Sequence, residues 1–159
     1  MAHLIVMGVA GSGKSTIGRR TAALLGWPYF DGDDYHGAAN VAKMAAGIAL
    51  TDEDRWPWLD RMNAAMAGQP HSVAAASCLR QAYRERIACG LDVRFAFANG
   101  EKALVAARLA ARPGHFFDPR LNDSQFAILE PPKDALALDI RAPVEELARA
   151  CADWMRSAA

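Results

Sequence analysis

One stretch of the sequence has the residue types and the spacing of a phosphate-binding loop. Residues 8–15 read Gly-Val-Ala-Gly-Ser-Gly-Lys-Ser, which is a complete G-x-x-x-x-G-K-S/T motif. An apolar run over 4–7 precedes it and an amphipathic helical pattern over 14–25 follows it, which is the strand–loop–helix context that the motif needs. Glycine lets backbone N–H groups converge on an anion, and the start of a helix favours phosphate. The stretch therefore predicts binding of nucleotide phosphates; the alternative is a glycine-rich turn that binds nothing.

Two side chains of this loop are expected to contact the nucleotide phosphates or their metal ion. Lys14 is expected to reach the β- and γ-phosphates, and the Ser15 hydroxyl is expected to ligate Mg²⁺. The other predicted phosphate contacts come from the loop itself, at Gly8, Ala10, Gly11, Ser12 and Gly13.

A pair of carboxylates follows the second predicted strand, Tyr29-Phe30. Asp31 and Asp33 would leave that strand at its carboxyl end, which is the edge of an open α/β sheet where ligands bind. A carboxylate at this edge can orient or deprotonate an acceptor hydroxyl near the γ-phosphate. The alternative is an Asx-type turn or a helix cap.

Two arginines could neutralise the charge on a transferring phosphoryl group. Arg108 and Arg112 stand four residues apart on a helix predicted over 101–112, just before a Pro-Gly-His-Phe-Phe loop. That loop, within a segment of about 112–120, is predicted to close as a mobile lid. Each arginine could instead belong to a solvated helix face. The polar candidates on the acceptor side are His36, Lys43, Arg55 and Arg80, and each of them could be structural.

Length and composition exclude several classes of protein. A chain of 159 residues predicts a single domain over 1–159, and the formal net charge of zero offers no basic surplus for nucleic acid or anionic membranes. The sequence has no apolar run of membrane-spanning length and no signal-peptide pattern at Met1, so we expect a soluble cytoplasmic protein. The three cysteines lack C-x-x-C spacing and are predicted to be small buried residues in a reducing compartment: Cys78, Cys89 and Cys151.

Periodicity and breakers predict five strands alternating with helices. The predicted strands are 3–7, 29–30, 72–77, 91–98 and 135–140. The predicted helices are 14–25, 36–46, one that Thr51 and Asp54 cap, 79–87, 101–112, 121–129 and one that Pro143 starts. This alternation favours an α/β fold, a parallel sheet with helices on both faces.

A phosphate loop by itself does not distinguish a kinase, an ATPase, a GTPase and a regulatory switch. A Ras-like GTPase should carry a guanine-reading Asn-Lys-x-Asp motif, and the nearest stretch, Asn99-Gly-Glu-Lys102, does not match it. The carboxylate pair, the polar acceptor candidates and the two arginines together favour a small P-loop kinase.

Seven blocks in register resemble one family along nearly the whole chain. They are Gly8–Ser15, Asp31–His36, Asn40–Leu50, Asp52–Leu59, Ser77–Arg84, Arg108–Phe117 and Leu121–Pro131. Their motifs, such as D-G-D-x-x-H and R-x-x-x-R-x-G-H-F-F, are similar to those of the gluconate kinases (gluconokinases), which are small P-loop kinases. Position 80 departs from that pattern because it is Arg where Lys is usual, and position 78 departs because it is Cys where Ala is usual.

The resemblance implies a nucleoside-monophosphate-kinase-like fold, with five parallel strands in the order 2-3-1-4-5, and a homodimer. It implies ATP-dependent phosphorylation of D-gluconate at its 6-hydroxyl, with Mg²⁺. The rival interpretations are a P-loop kinase of another acceptor, such as shikimate or a nucleoside monophosphate, and a nucleotide-binding regulatory protein.

The resemblance also assigns roles to particular residues. The predicted catalytic residues are Lys14, Asp33 as the base toward the acceptor hydroxyl, and Arg112. Asp31 assists at the metal through water. The gluconate is expected to meet His36, Arg55 and Arg80, and the ATP is expected to meet Thr16 at the α-phosphate, Arg108 and, near adenine, Pro143.

Overall fold

The computed structural model describes residues 1–112 and 119–157, and within these ranges five strands alternate with helices. The strands are β1 Ala2–Met7, β2 Tyr29–Asp31, β3 His71–Ala75, β4 Val93–Asn99 and β5 Leu136–Asp139. The α-helices are α1 Lys14–Leu25, α2 Ala38–Ala45, α3 Asp52–Ala67, α4 Gln81–Ile87, α5 Lys102–Ala110, α6 Pro119–Ile128 and α7 Val144–Ser157. A 3₁₀ turn, Gly32–Tyr35, follows β2 directly.

The strands form one parallel sheet in the order β2-β3-β1-β4-β5, so the predicted order and fold are confirmed. Strand β1 is central, with Leu4 opposite Val73 of β3 on one side and Arg94 of β4 on the other. All five carboxyl ends therefore meet at one edge of the sheet. The chain winds away from β1 in both directions, and such a switch point is where open α/β sheets place their ligands.

Side chains of β1 alternate between two hydrophobic cores because successive strand residues point to opposite faces. Leu4 and Val6 are fully buried in a core that α1 and α7 cover. Ile5 and Met7 are fully buried in the second core, which is covered by α3 and α4. Burial on both faces explains why this strand reads as a continuous apolar run, as expected for a central parallel strand.

The predicted start of α3 is confirmed in detail. The Thr51 hydroxyl accepts a hydrogen bond from the backbone N–H of Asp54, and the Asp54 carboxylate accepts one from the N–H of Thr51. This capping box satisfies two of the N–H groups that a helix start leaves without partners.

Several boundaries differ from the sequence prediction. Helix α2 begins at Ala38 rather than at 36 because His36 and Gly37 are extended after the 3₁₀ turn. Helix α5 ends at Ala110 rather than at Arg112. Arg112 precedes a proline in the sequence, and a residue in that position avoids the helical region of φ/ψ space.

The cysteine prediction is correct for two residues and wrong for one. Cys78 and Cys151 are buried, whereas Cys89 is exposed because it lies in the turn that follows the end of α4. Among the described residues, no helix is both long enough and apolar enough to cross a membrane. The predicted lid over about 112–120 falls mostly on residues 113–118, which lie outside the described part of the chain.

Candidate active site

A cavity of about 170 Å³ opens at the carboxyl edge of the sheet, beside the loop that follows β1. The loop contributes Ala10, Gly11, Gly13, Lys14 and Ser15 to its lining. The other predicted site residues in the lining are Asp33, His36, Arg55 and Arg112. The structure thus brings the predicted phosphate side and most of the predicted acceptor side to one place.

The phosphate loop needs glycine at positions 8 and 11. Both have positive φ, +154° at Gly8 and +83° at Gly11. A Cβ at position 8 would lie 2.7 Å from the Ser12 Oγ, and one at position 11 would lie 2.6 Å from the Leu109 Cγ. A side chain at either position would therefore clash in addition to straining the backbone, because L-residues rarely adopt this region.

Lys14 stands at the start of α1, with carboxylates close enough to influence it. Burial lowers the pKa of Lys14, and the charges of Asp33 and Asp31 oppose that shift, while Arg112 adds to it. A partly buried ammonium whose nearest opposite charges are these two carboxylates is suited to binding phosphate, since a bound phosphate compensates the cost of burial.

The two acids of the Asp31–Asp33 segment have different surroundings. Asp31 is buried: its Oδ1 accepts from the Asp33 N–H at 3.0 Å, and its Oδ2 accepts from Arg19 and from the Tyr29 hydroxyl, both at 3.1 Å. The helix-cap interpretation is therefore correct for Asp31. Asp33 is exposed and lines the cavity. Asp31 shapes this turn, and Asp33 is the carboxylate that a molecule in the cavity would meet.

His36 is held tightly at the acceptor side of the cavity. Its ring stacks on Trp58 with centroids 4.3 Å apart and planes 15° apart, and its Nδ1 lies 3.1 Å from the amide nitrogen of Asn40. Burial lowers the pKa of His36 to about 4, and the positive charges of Arg55 and Arg61 act in the same direction. The imidazole is consequently neutral at pH 7.

Arg55 is equally constrained. Its Nη1 donates to the Leu50 carbonyl at 2.7 Å and to the Tyr83 hydroxyl at 3.0 Å, and the guanidinium carbon lies 5.0 Å from the centre of the Tyr83 ring. Asp52 is 3.9 Å from the same nitrogen. A guanidinium fixed in this way presents a positive charge to the cavity with little conformational freedom to lose on binding.

Seven of the predicted site residues lie outside the cavity lining. They are Gly8, Ser12, Thr16, Asp31, Arg80, Arg108 and Pro143. Arg108 donates to the Ile140 carbonyl at 2.7 Å, so it lies beside the loop after β5 that also carries Pro143. Arg80 is the N-cap residue of α4. The expectation that Arg108 and Arg112 share one helix face is wrong, because α5 ends between them.

The sequence prediction missed Gln125, a polar residue of the site. The Gln125 Oε1 accepts a hydrogen bond from the Ala10 N–H at 2.7 Å, across 115 residues of chain, and the side chain lines the cavity. The block that contains it was part of the family resemblance, but no local pattern indicates which backbone group it would contact. Gln125 connects the phosphate loop to α6, the helix that begins at the end of the predicted lid segment.

The loop after β3 contains a strained residue. Cys78 has φ +44°, a conformation in which a non-glycine residue costs about 1 kcal/mol or more. The buried Arg84 donates from Nη1 to the Cys78 carbonyl at 2.7 Å and from Nη2 to the Glu130 carbonyl at 2.9 Å. These bonds keep the loop in place, and the neighbouring Ala76 and Ser77 line the cavity.

The fold and the site together define a P-loop kinase that acts on a small molecule. Solved structures of two such kinases share the fold: the APS kinase of Mycobacterium tuberculosis has a TM-score of 0.73 at 20% identity, covering 98% of this chain and 97% of that one. A shikimate kinase from Acinetobacter baumannii has a TM-score of 0.56 at 16% identity, covering 98% and 93%. The family model "Shikimate kinase" matches residues 10–77.

Closer relatives identify the family. The thermosensitive gluconokinase of Escherichia coli (strain K12) is 39% identical in an alignment 156 positions long that covers 92% of this chain and 83% of the relative. The gluconokinase of Gluconobacter oxydans (strain 621H) is 40% identical over 82% of this chain and 76% of its own. The crystal structure of a gluconokinase from Sinorhizobium meliloti 1021 has a TM-score of 0.91 at 34% identity, covering 99% and 93%. The chain belongs to the gluconokinase family.

Proposed function

We propose that the protein transfers the γ-phosphoryl group of ATP to the 6-hydroxyl of D-gluconate, giving 6-phospho-D-gluconate and ADP. The observation that carries this proposal is the placement of Lys14, Asp33, His36 and Arg55 around one cavity. A polyhydroxylated carboxylate needs hydrogen-bonding groups and a cation, and His36 and Arg55 supply both in the lining of the cavity. Arg80 is proposed to complete the acceptor side.

In this reaction the acceptor oxygen forms a bond to the γ-phosphorus while the bond from that phosphorus to the β–γ bridging oxygen breaks. Asp33 aligns the hydroxyl and takes its proton late in the transfer. Lys14 and Arg112 neutralise the charge that spreads over the phosphoryl oxygens. Thr16, Arg108 and Pro143 are proposed to contact the rest of the nucleotide.

Mg²⁺ is proposed to accompany the ATP. Its site would consist of the Ser15 hydroxyl, which lines the cavity, and nearby carboxylate oxygens, and such oxygen donors suit this cation. Mg²⁺ bound to nucleotide phosphates keeps several waters and needs only one or two protein ligands. Because both oxygens of Asp31 already accept hydrogen bonds, its proposed role at the metal runs through water.

The proposal extends to the setting of the enzyme. We propose a homodimer, from the family resemblance, and a cytoplasmic protein with no nucleic-acid or membrane partner, from the composition and charge of the sequence. Sedimentation equilibrium tests the first of these points, since a dimer has twice the 17.1 kDa mass of the chain.

The function is tested by coupled ADP release with Mg²⁺-ATP and a panel of acceptors: D-gluconate, other sugar acids, shikimate and nucleoside monophosphates. We expect turnover with D-gluconate, and we expect Lys14→Ala to abolish it. Mg²⁺-ATP should raise the melting temperature of the unaltered enzyme through linkage. Preferential turnover of shikimate or a nucleotide would contradict the proposed acceptor, and the absence of a thermal shift with every nucleotide would contradict the nucleotide site.

A further inference from the structure

Asn40 connects the acceptor side of the cavity to the start of α3. It lies in the first turn of α2 and is 7% exposed. Its amide nitrogen donates to the backbone carbonyl of Asp54 at 2.9 Å and lies 3.1 Å from the Nδ1 of His36. The neighbouring Lys43 binds the Asp54 carboxylate at 2.7 Å, which holds α2 against the capped end of α3.

These contacts determine the orientation of the Asn40 amide. A carbonyl oxygen has no hydrogen to donate, so the group that faces the Asp54 carbonyl must be the NH₂ of Asn40 and not its oxygen. The same NH₂ directs its second hydrogen to the His36 Nδ1. That nitrogen must then offer a lone pair, and in a neutral imidazole the proton resides on Nε2.

The ring that carries this proton has a fixed plane. It stacks on Trp58, whose Nε1 donates to the Gly32 carbonyl at 2.7 Å, so both partners of the stack are anchored. The charged groups that act on the ring are Arg55 of α3 and Arg61 of the same helix, and both oppose a positive charge on it. His36 is therefore held as a neutral donor of one hydrogen bond.

We propose that Asn40 is a positioning residue that fixes His36 as the Nε2–H tautomer, so that the cavity receives one neutral N–H donor beside the Arg55 guanidinium. Such a donor selects an oxygen with a free lone pair, a hydroxyl or a carboxylate of the acceptor, and adds no positive charge to that of Arg55. The assigned tautomer is independent of the proposed function, whereas its use for acceptor binding rests on that function.

The tautomer is tested by long-range ¹H–¹⁵N correlation spectra of the ligand-free protein at pH 7.5. The chain has four histidines, and the signals that disappear in His36→Gln identify the ring in question. We expect protonated Nε2 and unprotonated Nδ1. In Asn40→Asp a carboxylate oxygen replaces the donor, so we expect the proton on Nδ1 or on both nitrogens. A wild-type ring protonated on Nδ1 would overturn the proposal without any variant.

A matched control variant is Asn63→Asp. The Asn63 amide likewise makes two hydrogen bonds, but both of them go to backbone carbonyls, those of Ile87 and Cys89 at 2.8 and 2.9 Å, and neither goes to a histidine. We expect the control to leave the His36 signals unchanged. A wild-type pattern for His36 in Asn40→Asp, or the same change in both variants, would refute a specific role for Asn40.

The kinetic readout separates positioning from general loss of structure. We expect Asn40→Asp to raise the KM for the acceptor about tenfold, the value of one hydrogen bond, while the KM for ATP stays constant. An equal rise in the KM for the acceptor and the KM for ATP would overturn the link to the acceptor. If the wild-type enzyme phosphorylates none of the acceptors, the proposed function fails, and the spectra still decide the tautomer.

Discussion

Arg84 and Arg86 lie on the same short helix, and we expect their replacement to have very different effects on stability. Arg84 is 4% exposed, and its guanidinium donates to the carbonyls of Cys78 and Glu130 at 2.7 and 2.9 Å. Arg86 forms two bonds of 2.7 and 2.8 Å with Asp60, but these side chains are 46% and 53% exposed. Substitution by methionine keeps the aliphatic stem in both cases and removes the charge and its hydrogen bonds.

The burial of the partners sets the expected magnitudes. In Arg84→Met the buried carbonyl of Cys78 and the partly buried carbonyl of Glu130 lose a charged donor, and each such bond is worth about 1.5–3 kcal/mol, while the cost of burying the guanidinium is relieved. We expect a net loss of about 3–5 kcal/mol in the free energy of unfolding. In Arg86→Met an exposed ion pair is lost, and such pairs contribute little to stability because solvent screens them.

Urea unfolding monitored by tryptophan fluorescence measures both losses. With a slope of about 2 kcal/mol per molar urea, the midpoint of Arg84→Met should fall by about 1.5–2.5 M, and that of Arg86→Met by less than about 0.5 M. The urea midpoint of Arg84→Lys should lie between those of wild type and Arg84→Met. Lysine keeps the positive charge, but it lacks the two guanidinium nitrogens that donate to two carbonyls at once. Equal, small losses in both methionine variants would refute the role of the buried guanidinium in holding the strained loop.

Three further predictions concern the reaction and its pH dependence. Asp33→Asn should lower kcat by about 10²–10⁴-fold with an unchanged circular dichroism spectrum, whereas the exposed neighbour Asp34→Asn should keep kcat; an active Asp33→Asn would reject Asp33 as the base. Arg112→Ala should lower kcat far more than it weakens ATP binding, because the charge that it meets is largest in the transition state; a loss confined to ATP affinity would instead assign Arg112 to ground-state binding. The pKa of His36 is lowered to about 4 in the folded protein, from 6.5 in the unfolded chain. Between these pH values the unfolded chain binds a proton that the folded chain does not, so the free energy of unfolding should fall as the pH falls from about 6.5 to about 4. After allowance for partial solvent exposure we expect a loss of about 1–2 kcal/mol, measured as the difference between wild type and His36→Gln in urea unfolding at pH 7.5 and 4.5; equal pH dependence of the two proteins would contradict it.

The features that were correctly predicted from the sequence depend on neighbouring residues. The phosphate loop with its flanking strand and helix, and the capping box of Thr51 and Asp54, follow from local residue types and spacing. The strand order came from the family resemblance, because no local pattern fixes which strands pair.

The features that were missed depend on distant partners. The carboxylate of Asp31 is held by Arg19 of α1, on a different element of the chain, and no local pattern indicates this contact. The contact between Gln125 and Ala10 joins residues 115 positions apart. The helix predicted over 79–87 includes Arg84, but no local pattern indicates that Arg84 is buried, since its burial depends on which carbonyls other segments present to it.

The uneven exposure of the three thiols makes the unmodified chain convenient for spectroscopy. Burial raises the pKa of Cys78 to about 12 and that of Cys151 to about 11, so neither forms a thiolate near neutral pH, while Cys89 faces solvent. A maleimide dye should therefore attach to Cys89 alone in the folded protein. Its turn follows α4, at the opposite end of that helix from Leu79, which lines the cavity, so the dye would lie away from the cavity. Binding and unfolding could then be followed with one label and no cysteine substitutions.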